Sequence, residues 1–302
     1  MRQYLIEFTK DFAYPTQCAE ELLGCYDAIV GDAKRGESLN ALLADYTENC
    51  KVSYFVLEEY VKSICDGFSY HEYTVWLLVY VLMSRRLQEL YLQEGISQEI
   101  WRESMNDLKF KLEECRLLHG IWGIFVASWF PNFYRLKRFA FGRLQMEIAT
   151  YHGETFVCGD GGELKEGDPV LAVHIPRSPM PLSEENCNAS YRAAADFFAE
   201  RFEGDAVTFT CNSWMLYPKH SEFLHPRSNV RRFGEDFELM SATHNAEGVY
   251  PDLWRIFDVE CNGDYSKLPE DSFLRRAYKE YVLSGGVTGR GYGVKRLPKS
   301  NS

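Results

Sequence analysis

His174 lies in the apolar run GDPVLAVHIPR, residues 167–177. Read as a strand, this run puts Leu171, Val173 and Ile175 on one face and Val170, Ala172 and His174 on the other. Imidazole titrates near neutrality, so a histidine here can take a proton from a nucleophile, directly or through water. It can equally be a core histidine bonded to a neighbour. Glu147 ends the polar side of an earlier alternating run, with Arg143 and Gln145, and is a second candidate base. Its structural alternative is an ion pair with Arg143. Ser213, at the end of a third strand, and Tyr217, just beyond it, complete the catalytic candidates. Cys211 has the apolar parity of Val207 and Phe209 and reads as a buried, unreactive thiol.

These residues need elements to hold them. Residues 16–120 carry helical periodicity. The expected helices run from Thr16 to Val30, from a cap at Ser38 to Asn49, from Tyr54 to Phe68, from His71 to Gln93 and from Ser97 to Leu118. The fourth is apolar nearly all round in its first half, the mark of a helix buried among others. No proline interrupts Thr16–Phe130, and a small helical bundle follows. The pattern changes near Pro131. From Phe139 to Tyr151 apolar and polar residues alternate, which predicts one strand. Further strands are expected at Val170–Pro176, Val207–Trp214 and Leu253–Val259, and helices at Ser190–Phe202 and Leu268–Leu283. The fold class is therefore α+β: an N-terminal helical domain, residues 1–125, and a mixed α/β sheet domain, residues 131–302.

Composition narrows the function. The chain has 302 residues, 46% of them hydrophobic and 25% charged, an ordinary globular balance. Its formal charge of −11 argues against bulk nucleic-acid or anionic-membrane binding. The longest apolar runs, Val75–Met83 and Ile121–Phe130, fall well short of the ~20 residues that cross a bilayer. Nine cysteines are scattered singly, with no CxxC pair and no zinc spacing. No metal is expected, and a cytoplasmic protein with free thiols is.

Five phrases in order, YRLKRFAFGRLQME (134–147), GDPVLAVHIPR (167–177), SYRAAADFF (190–198), FTCNSWMLYP (209–218) and SNVRRFGEDFEL (228–239), resemble the bacterial acyltransferase-domain proteins. Those join a helical N-terminal domain to a GNAT-like C-terminal domain. The resemblance implies acyl transfer from acyl-CoA or acetyl-CoA to a small-molecule or peptide amine. It places His174 on the central strand beside the thioester and Tyr217 where a tyrosine protonates the departing thiolate. It implies CoA contacts at Ile175, Arg177, Asn188, Ala189 and Ser190. The densest basic group of the chain, Lys219, His220, His225, Arg227, Arg231 and Arg232, reads either as a contact for the 3′-phosphate of CoA or another anion, with Arg227 and Arg231 foremost, or as a solvated surface.

One feature of the sequence opposes that activity. A pyrophosphate loop usually carries close-set glycines, which let backbone N–H groups approach the phosphates. The matching stretch, RSPMPLSEENCNAS, has none and includes Glu184 and Glu185. The glycines of GGVTGRGYG, 285–293, fit no Walker loop and read as a flexible turn before a last strand. The second expectation is therefore a non-catalytic module that has lost the phosphate loop and binds another ligand or a protein partner. A serine or cysteine hydrolase has no supporting triad spacing or nucleophile elbow.

Overall fold

A computed structural model describes residues 1–50, 53–261 and 263–300, so the last two residues of the expected second domain lie outside it. The chain divides into two compact units, Met1–Ala140 and Phe141–Ser302.

The first unit is helical: α1 (Arg2–Asp11), α2 (Thr16–Gly31), α3 (Ala33–Asn49), α4 (Tyr54–Cys65), α5 (Glu72–Gln93), α6 (Gln98–His119) and a short α7 (Pro131–Tyr134). In α5 every residue from Thr74 to Ser84 is buried, as its all-round apolar pattern requires. Each Leu or Val withdrawn from water there contributes about 1.5–3 kcal/mol. Ser53 and Ser97 cap α4 and α6 by accepting the N–H groups of Val56 and Glu99. The expected cap at Ser38 is corrected. Asp32 caps α3, accepting from the Arg35 N–H at 2.9 Å, and Ser38 lies inside that helix with its hydroxyl on Ser63. The helix α1 is an addition to the sequence reading. Its Leu5 and Phe8 are buried, and Phe12, just beyond it, packs edge-on against Trp101 of α6.

The second unit contains β1 (Arg138–Phe141, which spans the division), β2 (Leu144–Thr150), β3 (Phe156–Val157), β4 (Glu163–Leu164), β5 (Pro169–His174), α8 (Glu184–Phe198), β6 (Ala206–Ser213), α9 (Asn229–Glu235), β7 (Glu238–His244), α10 (Leu253–Phe257), α11 (Phe273–Leu283) and β8 (Gly289–Pro298). The six-stranded sheet has the order β1-β2-β5-β6-β8-β7. β5 and β6 pair in parallel, and α8 connects them. The apolar stripe of α8, Cys187, Tyr191, Ala194, Ala195 and Phe198, is buried, and the Tyr191 ring stands 5.4 Å from that of Phe209. On the other sheet face, Tyr151, Cys158 and Leu164 pack over Val170 and Val294.

Four expectations change here. The single strand 139–151 is a hairpin that turns at Gly142, whose φ of +62° suits a residue without Cβ. The helix expected from Ser190 starts six residues earlier, at Glu184, where Ser183 accepts the Asn186 N–H. The strand expected at 253–259 is mostly α10. Leu253, Ile256 and Phe257 have helical spacing and are buried in a cluster with Tyr278 and Val282 of α11. The glycines of GRGYG are not a turn but the start of β8. A Cβ on Gly291 would collide with the Leu216 carbonyl, and one on Gly289 would stand 2.6 Å from the Tyr217 ring. Glycine every second residue clears one strand face for the backbone that follows β6.

Candidate active site

β2 and β5 run antiparallel, with Gln145 opposite His174 and Glu147 opposite Ala172. The period-two pleat therefore puts Gln145, Glu147, Ala172 and His174 on one face. His174 Nε2 and Glu147 Oε2 lie 3.1 Å apart, a diagonal cross-strand pair. Their side chains are 26% and 19% exposed, so the pair is withdrawn from bulk water without being sealed off. An imidazole beside a carboxylate can take up a proton as a unit, because each member stabilises the charge on the other. The two candidate bases read separately from the sequence are thus one group.

The pair stands at the carboxyl end of β5. The register of β5 with β6 covers only Leu171 opposite Phe209 and Ala172 opposite Thr210. His174, the last residue of β5, lies two positions beyond the last of these pairs. The crevice at the carboxyl ends of parallel strands is where open α/β sheets take ligands. The loop after β5 is fixed on both sides of this point. Arg143 Nη1 donates to the Pro176 carbonyl at 2.9 Å, and Arg177 pairs with Asp258, which Arg275 also holds at 2.7 Å. Burial pushes the Arg143 guanidinium below its ordinary pKa.

The other candidates lie elsewhere. Ser213 is opposite Gly291, on the sheet face away from His174, and its hydroxyl accepts the Met215 N–H at 3.2 Å. Tyr217 packs on Gly289 on that same face, with its hydroxyl 2.6 Å from His244 Nδ1. Burial raises the Tyr217 pKa. Asn188, Ala189 and Ser190 are inside α8 rather than at its N-terminus, so the helix ladder uses their N–H groups. The Ser190 hydroxyl donates to the Asn186 carbonyl and receives the N–H groups of Arg143 and Leu144, tying the β1–β2 turn to α8.

The basic cluster does not form one surface. His220 is 1% exposed and bonded to the Trp214 carbonyl. Arg231 is bound to Glu235 and to the carbonyls of Ser221 and Leu224, while Arg227 is exposed. Cys211 is buried, and burial raises its thiol pKa, as its parity implied. A cleft of about 300 Å³ between α8 and α9 is lined by Glu184, Glu235, Asp236 and Arg232, an acidic surround unsuited to phosphate. Among the described residues, no group of three His, Cys, Asp or Glu could hold a metal, and no helix is long and apolar enough to cross a membrane.

A mixed sheet whose central strands β5 and β6 pair in parallel and are joined by a helix is the GNAT type of acyltransferase fold. Residues 138–295 match the GNAT-like C-terminal domain, and residues 3–136 match the N-acyltransferase N-terminal domain. The chain belongs to this two-part acyltransferase family. Solved structures share the fold over nearly the whole chain. A variant acyltransferase in complex with octanoyl-CoA has a TM-score of 0.73 at 19% identity, covering 98% of this chain and 88% of that one. An acyltransferase in complex with decanoyl-CoA has a TM-score of 0.72 at 21% identity, and one with decanoyl-CoA and teicoplanin has 0.71 at 20%; each covers 97% of this chain and 87% of its own. No curated protein matches the sequence.

Proposed function

We propose that this protein transfers an acyl group from a CoA thioester to an amine, with His174 and Glu147 as the proton-accepting pair. The observation that carries the reading is the His174–Glu147 pair at the carboxyl end of β5, the strand that runs parallel to β6, within an acyltransferase fold. The related structures hold octanoyl-CoA or decanoyl-CoA, and one also holds teicoplanin. They support a medium-chain acyl-CoA as donor and a small-molecule or peptide acceptor.

The amine nitrogen attacks the thioester carbon and loses a proton to the His174–Glu147 pair. The C–N bond forms, the C–S bond breaks, and the thiolate leaves. The thiolate takes its proton from solvent; Tyr217, packed on the sheet face away from His174 with its hydroxyl on His244, is left out of this proton path. Ile175, Arg177 and Arg227 are the proposed CoA contacts. Ser213 serves as a cap, and Ser190 and Arg231 as structural ties.

A second reading, a non-catalytic module, is favoured by the glycine-free loop after β5 and by the two glutamates in the first turn of α8. Thermal unfolding with octanoyl-CoA and decanoyl-CoA separates the two. A donor at 100 times its dissociation constant adds about 2.7 kcal/mol, a clear upward shift. No shift with either thioester selects the non-catalytic module.

A further inference from the structure

Gln145 lies directly opposite His174 on the same face, so their Cβ atoms are about 4.5–5.5 Å apart. It is 2% exposed, and no group among the described residues donates to its buried Oε1. A glutamine that only filled space would not need an unpaired carbonyl oxygen; a methionine of similar size would pack as well. Two positions away, Arg143 is 7% exposed, and its buried Nε also lacks a partner. Unpaired polar atoms thus accompany the proton-accepting pair on β2 and in the turn before it.

We infer that Gln145 Oε1 binds the acceptor and makes the site select a primary amine over an alcohol. The inference rests on the acyltransferase reading. A neutral primary amine points its lone pair at the thioester carbon and has two hydrogens to place. One bonds to Gln145 Oε1 and stays on nitrogen as the N–H of the amide product. The other passes to the His174–Glu147 pair as the C–N bond forms and the thiolate departs. An alcohol has a single hydrogen, which the base takes, so Gln145 stays unpaired. A site that leaves a buried acceptor unpaired discriminates against that substrate.

The test uses the full chain with decanoyl-CoA as donor and benzylamine and benzyl alcohol as matched probes, with free thiol release as the readout. Gln145→Met is expected to lower kcat/KM for benzylamine roughly tenfold, the worth of one hydrogen bond. The amine-over-alcohol preference falls by the same factor, KM for decanoyl-CoA is unchanged, and the thermal midpoint is unchanged or higher. The inference is overturned if the preference survives, if both probes slow together with a lowered midpoint, or if the wild type acylates no amine. A wild-type midpoint that decanoyl-CoA does not raise removes the acyltransferase reading as well. A raised midpoint with an unaltered preference removes only the role of Gln145.

Discussion

Protonating His220 should destabilise the second unit by a calculable amount. The ring is buried, donates to the Trp214 carbonyl at 2.8 Å, and stands edge-on to Tyr217 and Tyr278. Burial lowers its pKa from 6.5 to about 4. The unfolded chain therefore binds this proton first as pH falls. Stability is intact above the unfolded pKa of 6.5 and is lost progressively down to about pH 4. The full shift corresponds to about 3 kcal/mol, and the part between pH 7 and pH 5 to about 2 kcal/mol. Other groups titrate over the same range, so the measurement is a difference. Urea unfolding of the wild type and of His220→Asn is followed at pH 7, 6 and 5. The asparagine amide keeps a donor for the Trp214 carbonyl but does not titrate. The wild type should lose about 2 kcal/mol more than the variant between pH 7 and pH 5. Parallel pH dependence in the two proteins would refute the burial argument.

Two further substitutions, one with a control in α2, test how β8 and α8 hold the fold. Gly291→Ala drives a Cβ into the Leu216 carbonyl and should cost about 1–3 kcal/mol in urea unfolding, whereas Gly31→Ala, with open space around it, should be neutral or stabilising. Ser190→Ala leaves the N–H groups of Arg143 and Leu144 without their shared acceptor and should cost about 1–3 kcal/mol by the same assay; an unchanged midpoint would show that the hairpin turn does not depend on α8.

The sequence exposed the fold unevenly. The helices α4, α5 and α6 were legible because apolar spacing and side-chain caps agree along each segment, and α2 from its spacing alone, since Pro15 precedes it and no side chain caps it. β5 and β6 were legible from short apolar runs, and the parity of His174 with Val170 and Ala172 held. Period alone did not separate α10 from a strand, because the segment is short and its burial against Tyr278 and Val282 is a long-range fact. The break at Gly142 was hidden because the alternation continues through the turn. The glycines of β8 misled because the close approaches that require them come from residues distant in sequence, Leu216, Tyr217, Phe237 and Thr243.

The site was half visible. His174 and Glu147 each stood out as a base, but their union depends on the β2–β5 register, which no single-strand pattern contains. Gln145 appeared only as a polar neighbour on the Glu147 strand. Its signal was the parity it shares with Glu147, and its unpaired oxygen emerged only with burial. Tyr217 was singled out by the family resemblance alone, and the sheet face it occupies, away from His174, became clear only with the β6–β8 register.

The central claim is best tested by thiol release from decanoyl-CoA in the presence of a panel of primary amines, comparing the wild type with His174→Ala. The account predicts turnover by the wild type and a loss of about a hundredfold or more in the variant, with the donor still raising the thermal midpoint of both. Equal turnover in the two proteins would remove His174 from the chemistry, and no turnover by the wild type with any amine would contradict the assignment of this chain as an acyltransferase.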